Sequence, residues 1–148
     1  MTDLDVLRII LVVEDDPDDQ VFTRRALESF RPPLSYRFVS DGQSALDYLT
    51  GATPRPAMLL LDLNLPRLGG LRVLEAVRNN PSLHGLPIVV FTTSSGSDDR
   101  CRSLSLGAKA FVTKPENIDE YMEVVRSAIA SGLQQDLLAP APGTGDIS

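Results

Sequence analysis

The sequence predicts a doubly wound α/β domain, a parallel β-sheet with helices on both faces. Three observations carry this prediction. Apolar runs of strand length alternate with stretches of helical period five times along the chain. Two of those runs, Ile9-Ile10-Leu11-Val12-Val13 and Met58-Leu59-Leu60-Leu61, are apolar at every position, as expected of strands buried on both faces of a parallel sheet. Four of the five runs end in residues with chemistry to offer: Glu14 and Asp15, Asp62, Thr92, and Lys114. In open α/β sheets, ligands bind outside the carboxyl ends of the strands.

Each element follows from local signals. The first strand covers 8–13. Pro17 suits the first turn of a helix, where no amide donor is needed, and Asp18 and Asp19 complement the positive end of the helix dipole. This helix runs over 17–30, with Val21, Phe22, Ala26, Leu27 and Phe30 on its apolar side, until Pro32-Pro33 stops it. Residues 36–39 form a short strand, Asp41-Gly42 turns the chain, and 44–49 form a short helix with Ala45, Leu46 and Leu49 inward. A loop holding Gly51, Pro54 and Pro56 leads to the third strand, 58–61, with Asp62 at its end. The next helix, 71–79, turns Leu71, Leu74 and Val77 to the core, and Pro81 and Gly85 mark the loop before the fourth strand, 88–91. Ser97 is expected to cap the fourth helix, with Asp98 and Asp99 behind it and Gly107 as its stop. The fifth strand, 110–112, ends in Thr113-Lys114-Pro115, and the last helix, 118–131, places Ile118, Met122, Val125 and Ile129 on one stripe.

Right-handed crossovers restrict the topology, and the flavodoxin-like strand order 2-1-3-4-5 is the expected one. One domain is expected over 1–131. A C-terminal extension over 132–148, carrying Ala139-Pro140-Ala141-Pro142-Gly143, is expected to be partly helical or disordered.

Composition narrows the function. A net charge of -6 and a pI near 4.7 exclude the basic face of a nucleic-acid-binding domain and any attraction to an anionic membrane surface. Cys101 is the only cysteine, so no internal disulfide forms, which fits a reducing compartment. The opening Met1-Thr2-Asp3-Leu4-Asp5 is acidic where a signal peptide is basic, and the run 9–13 is too short to span a bilayer. A cytoplasmic protein is expected. His84, the only histidine, falls in a loop, which argues against histidine-dependent catalysis by this chain.

The acidic run after the first strand sets five carboxylates within six residues. Their mutual repulsion is offset by a cation or by solvent. Asp18 and Asp19 read as helix-start acids, Glu14 and Asp15 come too early for that role, and Asp16 fits either group. Parallel strands bring Glu14, Asp15, Asp62, Thr92 and Lys114 to one edge. Asp15 and Asp62 suit Mg2+, which takes oxygen ligands and keeps several waters, with Glu14 acting directly or through water. Asp62 can serve as a carboxylate nucleophile toward phosphorus. A cation and Lys114 would stabilise the charge on a transferring phosphoryl group, and Thr92 would bind one of its oxygens.

These residues give the chain, over about 9–130, its resemblance to the response-regulator receiver domains of two-component signalling. The resemblance implies that Asp62 is the phosphoacceptor. It implies that Glu14, Asp15, Asp62 and the backbone carbonyl of Asn64 hold Mg2+. Thr92 and Phe111 match the switch hydroxyl and the switch aromatic, Lys114 the phosphoryl-binding lysine, and Lys114-Pro115 a bond that is usually cis. Glu14 departs from the commoner aspartate, and Phe111 lacks a tyrosine's hydroxyl. The runs Leu61-Asp62-Leu63-Asn64-Leu65-Pro66-Arg67 and Val90-Phe91-Thr92-Thr93-Ser94 look most like single-domain regulators that serve phytochrome-type histidine kinases. The implied partners are such a kinase and a second copy meeting it through the fourth helix, fifth strand and fifth helix. No enzymatic activity beyond self-catalysed phosphotransfer and dephosphorylation is implied. A Mg2+-dependent phosphatase of the haloacid-dehalogenase type is the alternative, but Asn64 stands where that family needs a second aspartate. A flavodoxin-like electron carrier is disfavoured because the acids after the first strand would repel a flavin phosphate.

Overall fold

The structure, a computed structural model, describes residues 9–51 and 54–133. The chain runs β1 (Ile9–Val13), α1 (Pro17–Glu28), β2 (Ser35–Val39), α2 (Gly42–Thr50), β3 (Met58–Leu61), α3 (Gly70–Arg78), a 3-10 turn (Pro81–Leu83), β4 (Ile88–Thr92), α4 (Ser97–Ser105), β5 (Ala110–Thr113) and α5 (Ile118–Leu133). The five strands are parallel in the order β2-β1-β3-β4-β5, the flavodoxin-like order expected. Residues 134–148, most of the expected C-terminal extension, lie outside the described residues.

Continuous apolar strands arise because successive side chains enter different cores. Ile10, Val12, Met58, Leu60, Val89 and Phe91 face α1 and α5, joined by Leu27, Val125 and Ile129. Leu11, Val13, Leu59, Leu61 and Val90 face the other way, joined by Ala45, Val73, Leu74 and Phe111. Gly132 of α5 lies directly over Met58. A Cβ there would stand 2.6 Å from the Met58 sulfur, so a larger residue would have to push the flexible end of that side chain aside.

Several boundaries differ from expectation for local reasons. The first helix ends at Glu28, because the Ser29 hydroxyl and amide both donate to the Ala26 carbonyl. Ser97 does not cap α4. It lies within the helix, and the cap position is Gly96. The Ser94 hydroxyl does related work, donating to the Asp99 carboxylate at 2.6 Å and accepting from the Gly96 amide at 3.4 Å. Ile118 was expected inward and is 53% exposed. It opens α5 before the helix meets the sheet, and the buried stripe is Tyr121, Val125, Ala128 and Ile129. Val21 is also exposed, since α1 buries Thr23, Ala26 and Leu27 instead. The Lys114–Pro115 bond is not cis. The cis proline bond among the described residues is Arg31–Pro32. An X–Pro bond prefers trans by only about 0.5–1 kcal/mol, so the dipeptide itself specifies neither isomer.

Candidate functional site

The parallel sheet delivers four strand ends to one edge. The Glu14 amide donates to the Val39 carbonyl, the Asp62 amide to Val13, and the Lys114 amide to Thr92. These bonds fix the backbone of each residue just past its strand. All four side-chain carriers are buried: Glu14 is 4% exposed, Asp62 6%, Thr92 0% and Lys114 8%. Polar groups are buried at such cost only where they are paired.

Lys114 supplies the pairing. Its Nζ lies 2.6 Å from Glu14 Oε1, 2.7 Å from Asp19 Oδ2 and 3.0 Å from Asp62 Oδ2. It also stands 5.8 Å from the centre of the Phe91 ring, within range of a cation–π attraction. Burial works against the ammonium. The bonds to Asp19 and Glu14, with the charges of Glu14 and Asp62, outweigh it and hold the Lys114 pKa above the usual lysine value. For Glu14 the balance falls the other way: burial raises its pKa to about 7, against the opposing bond and charge of Lys114.

Asp19 was expected to be a helix-start acid only, and the structure corrects this. Its backbone is set by Asp16, whose Oδ1 accepts from the Asp18 amide at 2.8 Å and the Asp19 amide at 3.1 Å. That bonding settles the ambiguity over Asp16: it is the N-cap of α1. Asp18 stays exposed at the helix start. Asp15 lies before the N-cap, outside the helix, so no helical spacing links it to Asp19 and no local sequence signal marked the contact with Lys114.

Carboxylate oxygens of Glu14, Asp15 and Asp62 all lie within 4.8 Å of one another. Two of the three are buried and all offer only oxygen, a set that suits a hard divalent cation. The Asn64 amide donates to Asp62 Oδ1 at 3.2 Å, which pins the second oxygen of that carboxylate. Gly70 holds this loop close: a Cβ there would stand 2.4 Å from the Asp62 carbonyl oxygen. The Thr92 hydroxyl accepts from the Ser94 amide at 3.3 Å. Phe111 pairs with Val90 in register and is packed into the α3 side of the core. Thr92, two residues beyond Val90, faces that same side. Arg100 bridges to Phe111, its Nη1 donating to the Phe111 carbonyl at 3.4 Å. His84 and Cys101 are both exposed and apart from this edge.

Fold and site together define a class: a doubly wound α/β domain with an acidic, oxygen-lined cation pocket and a lysine at the carboxyl edge of its sheet. Residues 10–126 match the response regulator receiver domain, and the chain belongs to that family. It is 33% identical over 124 residues to the response regulator Rcp1 of Synechocystis sp., a match covering 80% of this chain and 84% of that one. Among solved structures, it resembles the phosphorylated cyanobacterial phytochrome response regulator RcpA with a TM-score of 0.80 at 32% identity, covering 85% of this chain and 94% of that one. It resembles the Mn2+-bound form of Rcp1 with a TM-score of 0.77 at 31% identity, covering 95% and 99%. The bacteriophytochrome response regulator RtBRR is 39% identical, with a TM-score of 0.71 over 87% of this chain and 79% of that one. The chain is therefore a receiver-domain response regulator with phytochrome-linked relatives. The phosphatase alternative finds no support in these matches. Among the described residues, no helix is long and apolar enough to cross a membrane.

Proposed function

We propose that this chain is a phosphorylation switch in which Asp62 accepts a phosphoryl group from a histidine kinase. The observation that carries the reading is the Lys114 ammonium seated on the buried carboxylates of Asp62 and Glu14, beside a set of oxygens fit for a divalent cation. In the transfer, a carboxylate oxygen of Asp62 forms a bond to phosphorus. The bond from phosphorus to the kinase imidazole nitrogen breaks, and that nitrogen keeps the electron pair. Glu14, Asp15, Asp62 and the Asn64 carbonyl would hold Mg2+, which neutralises charge on the phosphoryl oxygens. Lys114 keeps its ammonium beside Asp62 and is ready to donate to a phosphoryl oxygen. Thr92, buried at the end of β4, would turn its hydroxyl from the Ser94 amide to the phosphoryl group. Phe111, on the same side of the sheet, would repack into the space released, without the hydroxyl anchor of a tyrosine.

The domain is taken as 1–131, acting in the cytoplasm as a switch rather than as an enzyme on a separate substrate. The similarity to phytochrome response regulators supports a bacteriophytochrome-type kinase as donor. The face of α4, β5 and α5 supports contact with a second copy. Leu104 and Ile118 are exposed there, and a cavity of about 270 Å³ lined by Ala110, Val112, Val124 and Ala128 opens on it. Phosphotransfer from purified phytochrome-type kinases tests the reading. Wild-type chain takes up label in Mg2+ and none in chelator, and Asp62→Asn takes up none in either. Native labelling of Asp62→Asn would refute the assignment.

A further inference from the structure

The three carboxylates around Lys114 do not stand in the same relation to the cation pocket. Glu14 and Asp62 belong to the cluster whose oxygens lie within 4.8 Å of one another, and Asp19 does not. An ammonium has three donors, and here they meet Glu14, Asp19 and Asp62 at 2.6, 2.7 and 3.0 Å. Lysine and divalent cation therefore compete for the same two buried carboxylates. A lysine with only those two partners would have to stay and repel the cation, or lose its pairing inside the protein. Its side chain is 4% exposed, so release to solvent is not open to it without rearrangement.

We infer that Asp19 is a positioning residue that holds Lys114 aside, so that a divalent cation can take Glu14, Asp15 and Asp62 while the ammonium remains paired in the pocket. Asp19 is suited to this. It sits on the first turn of α1, its backbone is fixed by the Asp16 cap, and its side chain keeps 20% exposure. Its carboxylate is thus less costly to leave charged than Glu14 or Asp62. Lys114 then stays beside Asp62, the carboxylate proposed to take the phosphoryl group, rather than free. This inference rests on the cation reading proposed above.

Mg2+ titration by calorimetry at pH 8, on the full chain, tests it. Asp19→Asn, which preserves shape and removes the charge, is expected to bind Mg2+ about tenfold more weakly, the low end of what one charge-assisted hydrogen bond contributes. Asp19→Glu keeps the carboxylate and is expected to stay near wild type. In a Lys114→Met background the Asp19→Asn effect is expected to shrink to about threefold or less, because the competitor is gone. Affinity of Asp19→Asn within twofold of wild type would overturn the inference while leaving the cation site intact. An equal loss in both backgrounds would also overturn it, since Asp19 would then act by charge alone. A wild-type chain that binds no Mg2+ overturns the cation reading and this inference with it. Should the Lys114→Met chain not fold, the contrast between Asp19→Asn and Asp19→Glu decides: equal weakening of both overturns the role.

Discussion

Replacing Lys114 by methionine removes the one ammonium in the site and keeps most of the side chain's bulk. Glu14 and Asp62, with side chains 5% and 7% exposed, are then left without their cation. Removing one partner from a buried ion pair typically costs about 3–5 kcal/mol. The low end applies here. Glu14, with its pKa already near 7, loses the two Lys114 contributions that lower it and takes up a proton, so Asp62 carries most of the stranded charge. A loss of about 3 kcal/mol in a chain of this size lowers the melting temperature by roughly 6–12 °C. Thermal unfolding in chelator at pH 8 measures this directly. The deficit is expected to shrink at pH 5.5, where Glu14 is neutral, and to shrink in saturating Mg2+. A cation held at a hundred times its dissociation constant stabilises by about 2.7 kcal/mol, and binding is tighter where no ammonium competes. A variant that melts within about 2 °C of wild type in chelator, or gains no more from Mg2+ than wild type does, would show that Lys114 does not neutralise this site.

Other outcomes follow from the same geometry. Because Glu14 titrates near 7 rather than 4.5, the stability brought by its protonated form is full below 4.5. That stability is lost as the pH rises through 7, while cation affinity rises. Mg2+ titrations should show roughly tenfold tighter binding at pH 8 than at pH 6, the ratio of ionised Glu14, and a flat profile would contradict the role of Glu14. Gly70→Ala would set a Cβ 2.4 Å from the Asp62 carbonyl and 2.7 Å from the Leu63 Cα. It is expected to cost about 1–3 kcal/mol and to slow acetyl phosphate labelling, and unchanged melting and labelling would show that the loop yields freely. Among the described residues, the buried Ser103 hydroxyl has no hydrogen-bond partner, so Ser103→Ala is expected to raise stability by about 1 kcal/mol in denaturant unfolding. A loss of that size would reveal a partner for the hydroxyl.

What could be read from the chain depended on how local the cause was. Ile9–Val13 and Met58–Leu61 announce buried parallel strands without outside help, and strand direction alone then carries Glu14, Asp62, Thr92 and Lys114 to one edge. Asp19 was read only halfway. Its place in the first turn is a local property, but its bond to a lysine 95 residues away depends on how the sheet brings the end of β5 beside the start of α1. The Ile118 stripe failed for a related reason: helical period gives a face, while the point where α5 first meets the sheet is set by the loop before it. Ser97 was chosen as a cap from residue type, and Ser94 took part of that work because the preceding loop brings its hydroxyl to Asp99. The isomer at Lys114–Pro115 lies below what a dipeptide can specify.

The contact of Gly132 with Met58 has a mechanical consequence. It seats the far end of α5 on the Met58 side chain of the central strand β3, with no side chain from the helix between them. The near end of the helix begins only four residues after Lys114. A shift of Lys114 toward a phosphoryl group would therefore reach α5 at its near end first, at Ile118, the exposed residue ahead of the buried stripe that begins at Tyr121.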